Sequence, residues 1–277
     1  MHLHNYRLFC AIGIDYREGA VCTRCRGRNT LPGVRLRCRG NLPEAVAYGA
    51  GLAIHQRRLV DTVDRFVAPS GFAAERLASQ GLGDRPVAVI HNFLGEDEFA
   101  SAPPAQRGDY ALFAGRLVEE KGADTAVLAS ARSGVPLQIA GAGPDRERLE
   151  RLARDQRAPV TFRGRIPRDE MDRVRAGAAF VLAPSRWDEP CPYSVIEAMA
   201  AGLPVLASAR GGLPEMVGPE HVLGDRDAGG WAAAMHDLWE DEDLRRRRGA
   251  DALDRARELF TEERFYSALM DVYEDRG

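Results

Sequence analysis

Lysine is nearly absent from this 277-residue chain: of its 38 basic residues only Lys121 is a lysine, and the rest are arginine. A coding preference for arginine accounts for most of that bias. Chance and a need for a compact ammonium at position 121 are then about equally good reasons for the one exception. Long apolar runs are missing too, since none approaches the ~18–20 residues that span a bilayer. Met1–Arg7 has neither the charged head nor the apolar middle of a secretory leader. These absences lead to the expectation of a cytoplasmic protein. A large excess of charge is also lacking, and a formal net charge of −3 argues against a protein built mainly to coat nucleic acid. Five cysteines in so long an intracellular chain point to thiols or metal rather than a disulfide framework. What the chain does have is 45% hydrophobic residues, enough for one large domain or two of ordinary size.

Between residues 108 and 259 the pattern alternates cleanly. Apolar strand candidates Tyr110–Ala114, Leu137–Ala140, Val160–Phe162, Phe180–Ala183 and Val205–Ala207 are separated by helical patterns near 121–132, 145–156, 168–176 and 192–201. Strands and helices in that rhythm predict βαβ crossovers and a buried parallel sheet, an α/β Rossmann-like unit. A short strand ending at Leu223 follows, then helices over 227–239, 241–259 and 261–274. Ala100–Gly108, with Pro103 and Pro104, reads as a linker. The residues before it offer strands at Phe66–Ala68 and Val87–Ile90 and helices near 43–63 and 71–80. That is about half of a doubly wound domain, which normally has about six strands. The expected organisation is 1–104 with a Cys/Arg-rich insert at 10–39, then 105–259, then a last helix within 260–277.

Two motifs carry chemistry. In the first, a strand ending Ala183-Pro184-Ser185 leads into Trp187-Asp188-Glu189-Pro190-Cys191-Pro192-Tyr193-Ser194 and an Ala-rich helix that Gly202 and Pro204 terminate. A helix N-terminus at a sheet edge is a ready site for an anion. Glu189 falls on the loop and Glu197 within the helix. An arbitrary pair of glutamates is usually surface solvation, and this strand–loop–helix setting favours a site instead. In the second motif, strand 110–114 runs into Gly115, Arg116 and the sole lysine, Lys121. Two cations at the carboxyl end of a parallel strand suit a diphosphate, arginine through its planar fork and lysine as a point charge. The plainer alternative is that Glu119 and Glu120 neutralise them at the surface.

Taken together, Phe113-Ala114-Gly115-Arg116 with Lys121-Gly122, Ile139-Ala140-Gly141-Ala142-Gly143-Pro144, Phe162-Arg163-Gly164, Glu189-x7-Glu197-Ala198-Met199-Ala200-Ala201-Gly202 and Gly211-Gly212-Leu213-Pro214-Glu215 resemble the family-4 (group 1) retaining glycosyltransferases of the GT-B fold. The resemblance covers essentially all of 108–259. It implies a nucleotide-sugar donor domain there, a partial acceptor-side unit before it, and a final helix that crosses back to the N-terminal part. It gives the donor's diphosphate to Arg116 and Lys121, the ribose hydroxyls to Glu197, a sugar hydroxyl to Glu189, and the base edge to the Gly141–Gly143 turn and the backbone near Arg165. The amides around Tyr193 and Ser194 would face phosphate or sugar. Pro192 departs from the glycine many relatives carry, which removes one amide donor. Leu3-His4-Asn5-Tyr6-Arg7 resembles the strand-end histidine motif, which makes His4 the candidate beside the reacting carbon.

The implied reaction moves a hexose from a nucleoside-diphosphate sugar to an acceptor hydroxyl of a glycan, lipid or small molecule, with retention and with no metal in the chemistry. A lipid-linked acceptor would bring peripheral membrane contact. If the alignment holds, the family's first acceptor-domain strands and glycine-rich loop are absent from the sequence. A nucleotide-sugar binder with impaired catalysis is therefore the alternative reading. A dinucleotide oxidoreductase fails because Arg146 stands at the third fingerprint glycine. Lastly, Cys10, Cys22, Cys25 and Cys38 sit among seven arginines between Arg17 and Arg39. A structural zinc, plain thiols and a disulfide all fit that spacing, and a zinc-ribbon nucleic-acid binder is the weakest reading of the segment, given the net charge.

Overall fold

The computed structural model describes residues 1–104 and 108–274; residues 105–107, in the middle of the predicted linker, lie outside them. The chain forms two compact units. The first comprises Met1–Asn92, Trp187–Cys191 and the residues from Phe265 onward, and the second comprises Phe93–Arg186 and Pro192–Arg264.

The first unit is built from short elements: a hairpin of β1 (Tyr16–Arg17) and β2 (Ala20–Val21), helices α1 (Leu31–Arg35) and α2 (Leu42–Thr62), strand β3 (Phe66–Ala68), helix α3 (Gly71–Leu77) and strand β4 (Val87–Val89). Strands β3 and β4 pair in parallel. On β3 lies a further stretch of extended chain, where Leu3 N–H donates to Val67 O at 2.8 Å and Val67 N–H donates to Met1 O at 2.9 Å. Asn41 starts α2 by accepting from the Glu44 amide, and Ser70 starts α3 by accepting from Ala73, both ordinary N-caps. The helix expected over 71–80 is shorter in the structure. It ends at Leu77 and passes into a π turn, Ala78–Leu82, whose Gly81 has φ of 150°. Tyr6, Phe9, Phe66 and Leu77 centre the core, and Trp187 packs with them.

The second unit carries a six-stranded sheet in which every pairing is parallel. Its chain order is β5 (Tyr110–Ala114), α4 (Ala123–Ser133), β6 (Leu137–Ala140), α5 (Arg146–Asp155), β7 (Val160–Gly164), α6 (Arg168–Ala176), β8 (Ala178–Ala183), α7 (Tyr193–Ala200), β9 (Val205–Ser208), α8 (Leu213–Val217) and β10 (Val222–Leu223). Helices α9 (Ala228–Glu240) and α10 (Glu242–Leu259) follow; the last helix, α11 (Glu262–Glu274), belongs to the first unit from Phe265 onward. The spatial order β10-β9-β8-β5-β6-β7 places the first strand of the unit, β5, beside its fourth, β8. This is the doubly wound Rossmann arrangement, and its topological switch point lies between those two strands. Central strands buried on both faces read as unbroken apolar runs, and β5 and β8, Tyr-Ala-Leu-Phe-Ala and Ala-Ala-Phe-Val-Leu-Ala, fit that rule. Phe113, Ile139, Phe180 and Leu206 fill the core, with Trp231 and Met235 of α9 packed on them. The α/β parallel-sheet class and all six strands of this unit match the sequence expectation; the five-residue α8 was not anticipated.

Candidate functional site

In an open α/β sheet, ligands bind beyond the carboxyl ends of the strands at the switch point. There the second unit has an open cleft of about 600 Å³. Ala114, Gly115 and Arg116 line it from the exit of β5, Ala140, Gly141 and Ala142 from β6, Arg165, Ile166 and Met171 from the β7–α6 connection, and Ser194 and Glu197 from α7. Backbone sterics explain why glycine is used here. Gly141 N–H donates to Gly164 O at 2.7 Å, and a Cβ on Gly141 would fall on the carbonyl oxygen of Gly115. A side chain would thus push apart the two turns that form the cleft floor.

Lys121 is placed by a similar constraint. Glu119–Lys121 form a 3₁₀ turn that ends at Gly122, which is left-handed with φ 68°. A Cβ on Gly122 would collide with the carbonyl oxygen of Pro184, at the exit of β8. The lysine turn is therefore seated at the switch point, although Lys121 does not itself line the cleft. Arg186 holds the same turn: its N–H donates to Glu120 O at 2.8 Å, and its buried guanidinium lies 2.9 Å from Asp124 and 3.3 Å from the Thr125 hydroxyl. Arg116 is 61% exposed and pairs with Glu120 at 3.3 Å, so the neutralisation by Glu120 weighed in the sequence does occur for this cation. The arginine end of this pair is exposed and the Glu120 end is largely buried, so solvent screens the guanidinium and the pair is worth on the order of 1 kcal/mol.

Glu197 projects from α7, whose Ala198 and Ala200 are buried against the sheet. Burial pushes its carboxyl pKa above the usual range, and Arg175 beside it opposes that rise. Arg175 Nη2 donates to Glu197 Oε2 at 2.6 Å. Ser194 stands in the first turn of α7 and Tyr193, the first residue, is about half exposed. The sequence reading missed Ile166, Met171 and Arg175. Met171 and Arg175 are four residues apart and so share one face of α6, a spacing that could have marked them.

Two expected site residues belong to the first unit. His4 follows the extended Met1–Leu3 stretch, is exposed, and stacks on His2 with ring centroids 6.0 Å apart. Glu189 is buried in the Trp187–Cys191 segment. That segment is tied down at several points: Tyr6 Oη donates to Asp188 O at 2.9 Å, Arg76 Nη2 meets Asp188 Oδ2 at 2.5 Å, and Asn92 Nδ2 donates to Cys191 O at 2.7 Å. Arg76 lies 5.0 Å from the centre of the Phe72 ring and 3.7 Å from the buried Asp15, which also accepts from Gln80. Burial raises the Asp15 pKa to about 6, against the lowering effect of Gln80, Cys10 and Arg76.

Cys10, Cys22, Cys25 and Cys38 line one small cavity of the first unit. They and Cys191 are free thiols, so the disulfide reading of the segment does not hold. Among the described residues no three His, Cys, Asp or Glu side chains are gathered closely enough to hold a metal ion. Among the same residues no helix is long and apolar enough to cross a membrane.

Comparison with known proteins places the chain. Residues 96–255, more than half of it, match the family model of glycosyl transferases group 1. The chain belongs to that family. Among curated group 1 relatives, D-inositol 3-phosphate glycosyltransferase of Mycolicibacterium smegmatis is 32% identical over 213 residues, which are 69% of this chain and 48% of that protein. A GDP-mannose-dependent α-(1-6)-phosphatidylinositol monomannoside mannosyltransferase of the same species is 35% identical over 188 residues, 62% of this chain and 43% of that protein. The chain thus spans about half the length of the curated relatives it matches. Among solved structures, sucrose-phosphate synthase of Thermosynechococcus elongatus superposes with a TM-score of 0.71 at 26% identity, covering 81% of this chain and 61% of that one. Anabaena HepE, solved with UDP and glucose, superposes with a TM-score of 0.72 at 17% identity, covering 86% and 68%. The group 1 chain therefore has the GT-B type of Rossmann-like sheet.

Proposed function

We propose that this group 1 chain takes part in hexose transfer from a nucleoside-diphosphate sugar to an acceptor hydroxyl, with retention at the anomeric carbon. The observation that supports this reading best is the switch-point cleft, where Gly115, Arg116, Ser194 and Glu197 converge from separate elements. In the proposal the diphosphate lies along the exit of β5. It takes Arg116 from its exposed pairing with Glu120 and receives the ammonium of Lys121, while the α7 amides around Tyr193 and Ser194 add positive potential. Glu197 accepts from the ribose hydroxyls, and the Gly141 turn, Arg165 and Ile166 border the base. For His4 and Glu189, sugar-side contacts are proposed on the family resemblance alone.

As the bond between the anomeric carbon and the phosphate oxygen breaks, both electrons leave with the diphosphate, whose charge the two cations offset. The acceptor oxygen bonds to the same face of the carbon, and its proton passes to the departing phosphate oxygen. No carboxylate nucleophile is required, and the same-face geometry accounts for retention. HepE, whose structure holds UDP and glucose, supports a nucleoside-diphosphate donor by analogy.

The test is calorimetric titration with UDP, GDP and ADP, followed by turnover assays with the matching sugar donors. Wild-type chain is expected to bind one of the three nucleotides. Lys121→Ala and Glu197→Ala are each expected to abolish donor-dependent turnover. Full activity in either variant would overturn the site assignment, and no binding of any of the three would overturn the donor.

A further inference from the structure

We propose that Arg175 is a positioning residue that makes Glu197 a reader of the ribose hydroxyls. The inference rests on the donor reading above. The candidate pocket puts a glutamate where a ribose would need an acceptor that is ionised and fixed in one rotamer. Glu197 by itself favours neither condition. Burial raises its carboxyl pKa, and a glutamate side chain has three rotatable bonds whose freedom is lost when it is fixed.

Arg175 supplies both conditions. It sits on α6, one turn beyond Met171, and only 13% of its side chain is exposed. Its Nη1 meets Asp172 Oδ1 at 2.7 Å and its Nη2 meets Glu197 Oε2 at 2.6 Å. Two nitrogens of one planar fork are thus engaged in different directions, which fixes the guanidinium and, through it, the carboxylate. The contact occupies Oε2 and leaves Oε1 with no protein donor among the described residues. Other charges facing Glu197 are Arg168 on α6, which lowers its pKa, and Glu98, which raises it. Arg168 is itself engaged with Glu98 at 3.2 Å. Arg175 is therefore the cation in direct contact with the carboxylate. An ion pair that served only to pin α6 to α7 would have no bearing on which sugar hydroxyls a nucleotide carries.

That distinction sets the experiment. The nucleotide among UDP, GDP and ADP that binds wild-type chain best is titrated together with its 2′,3′-dideoxy counterpart, against wild type, Arg175→Met and Arg175→Lys. Wild type is expected to prefer the ribonucleotide by tenfold or more. In Arg175→Met the preference should fall to within about threefold through weaker ribonucleotide binding, with the dideoxy compound bound as before. Arg175→Lys, which keeps a cation but not the fork, should give an intermediate ratio and covers the case in which the methionine variant does not fold. The ribonucleotide affinity of Arg175→Met should also decline at a higher pH than that of wild type as the medium is acidified, because Glu197 loses the partner that holds its pKa down. An unchanged ratio in a folded variant, or equal loss for both nucleotides, would overturn the positioning role. Wild-type chain that binds none of the three nucleotides would instead overturn the donor reading on which it rests.

Discussion

Each of the two units is stabilised internally by different physics. The second unit is a parallel sheet whose two central strands, β5 and β8, are apolar end to end, so Phe113, Ile139, Phe180 and Leu206 stabilise it mainly by leaving water. The first has two two-stranded sheets and a smaller core, and a charged network is buried in it: Arg76 between Asp188 and Asp15, Gln80 on Asp15, and Tyr6 on the backbone of Asp188. Hydrophobic burial is indifferent to exact partners, whereas a buried charge is tolerated only with its own counterion in place. Losses in the second unit should therefore scale with the apolar volume removed, whereas losses in the first should depend on whether a charged partner is left alone.

The largest effect should come from Phe180→Ala in the middle of β8. A fully buried aromatic removed from a sheet core costs about 3–5 kcal/mol, and chemical denaturation is expected to show a loss of that size. A cost below 1 kcal/mol would mean that this core is not what holds the second unit. Arg76→Met comes next, at about 3 kcal/mol, because it leaves two buried carboxylates without their cation. Its signature is local: amide exchange should quicken in β3, α3 and Trp187–Cys191, with the strands of the second sheet unaffected. Adding Asp15→Asn should recover part of the loss, and failure to recover any would remove the charge argument.

The same contrast explains what could be read in advance. All six strands of the second unit were legible because apolar runs bounded by Gly and Pro signal themselves locally, and the cleft-lining Gly115, Arg116 and Glu197 follow from where those strands end. In the first unit the decisive contacts join residues 112 apart, as for Arg76 and Asp188, or 65 apart, as for Gln80 and Asp15. No local pattern announces them. The hairpin at 16–21, with Glu18 and Gly19 both at positive φ, and the π turn after Leu77 were missed for a different reason: two-residue strands and a single wide turn are too short to leave a periodic pattern. Arg175 was missed because a half-charged helix such as Arg168–Ala176 looks like any solvated face until its partner on α7 is known.

A smaller effect sharpens the comparison at the site. Arg116→Met breaks a single ion pair whose arginine is 61% exposed and should change stability by about 1 kcal/mol, while weakening nucleoside-diphosphate binding tenfold or more. A large stability loss would make Arg116 structural. The smallest expected effect is a pH dependence. Asp15 is raised in the folded chain to about 6 from its ordinary 3.8, so the native state holds a proton that the unfolded state has released between those values. Its ionisation therefore costs stability as pH rises between those values, and the part that falls between pH 5 and pH 6 is on the order of 1 kcal/mol. The stability of wild type relative to Asp15→Asn should increase from pH 7.5 to pH 5, as measured by paired denaturation curves. A flat difference would show that Arg76 already neutralises the carboxylate fully.

The central claim is that the switch-point cleft of the second unit grips a nucleoside diphosphate, and amide exchange on the intact chain with and without saturating nucleotide tests it most directly. The account predicts new protection at Gly115–Arg116, Gly141–Ala142 and the Ser194 turn. Protection confined to the hairpin and cysteine cavity of the first unit, with those turns unchanged, would contradict it.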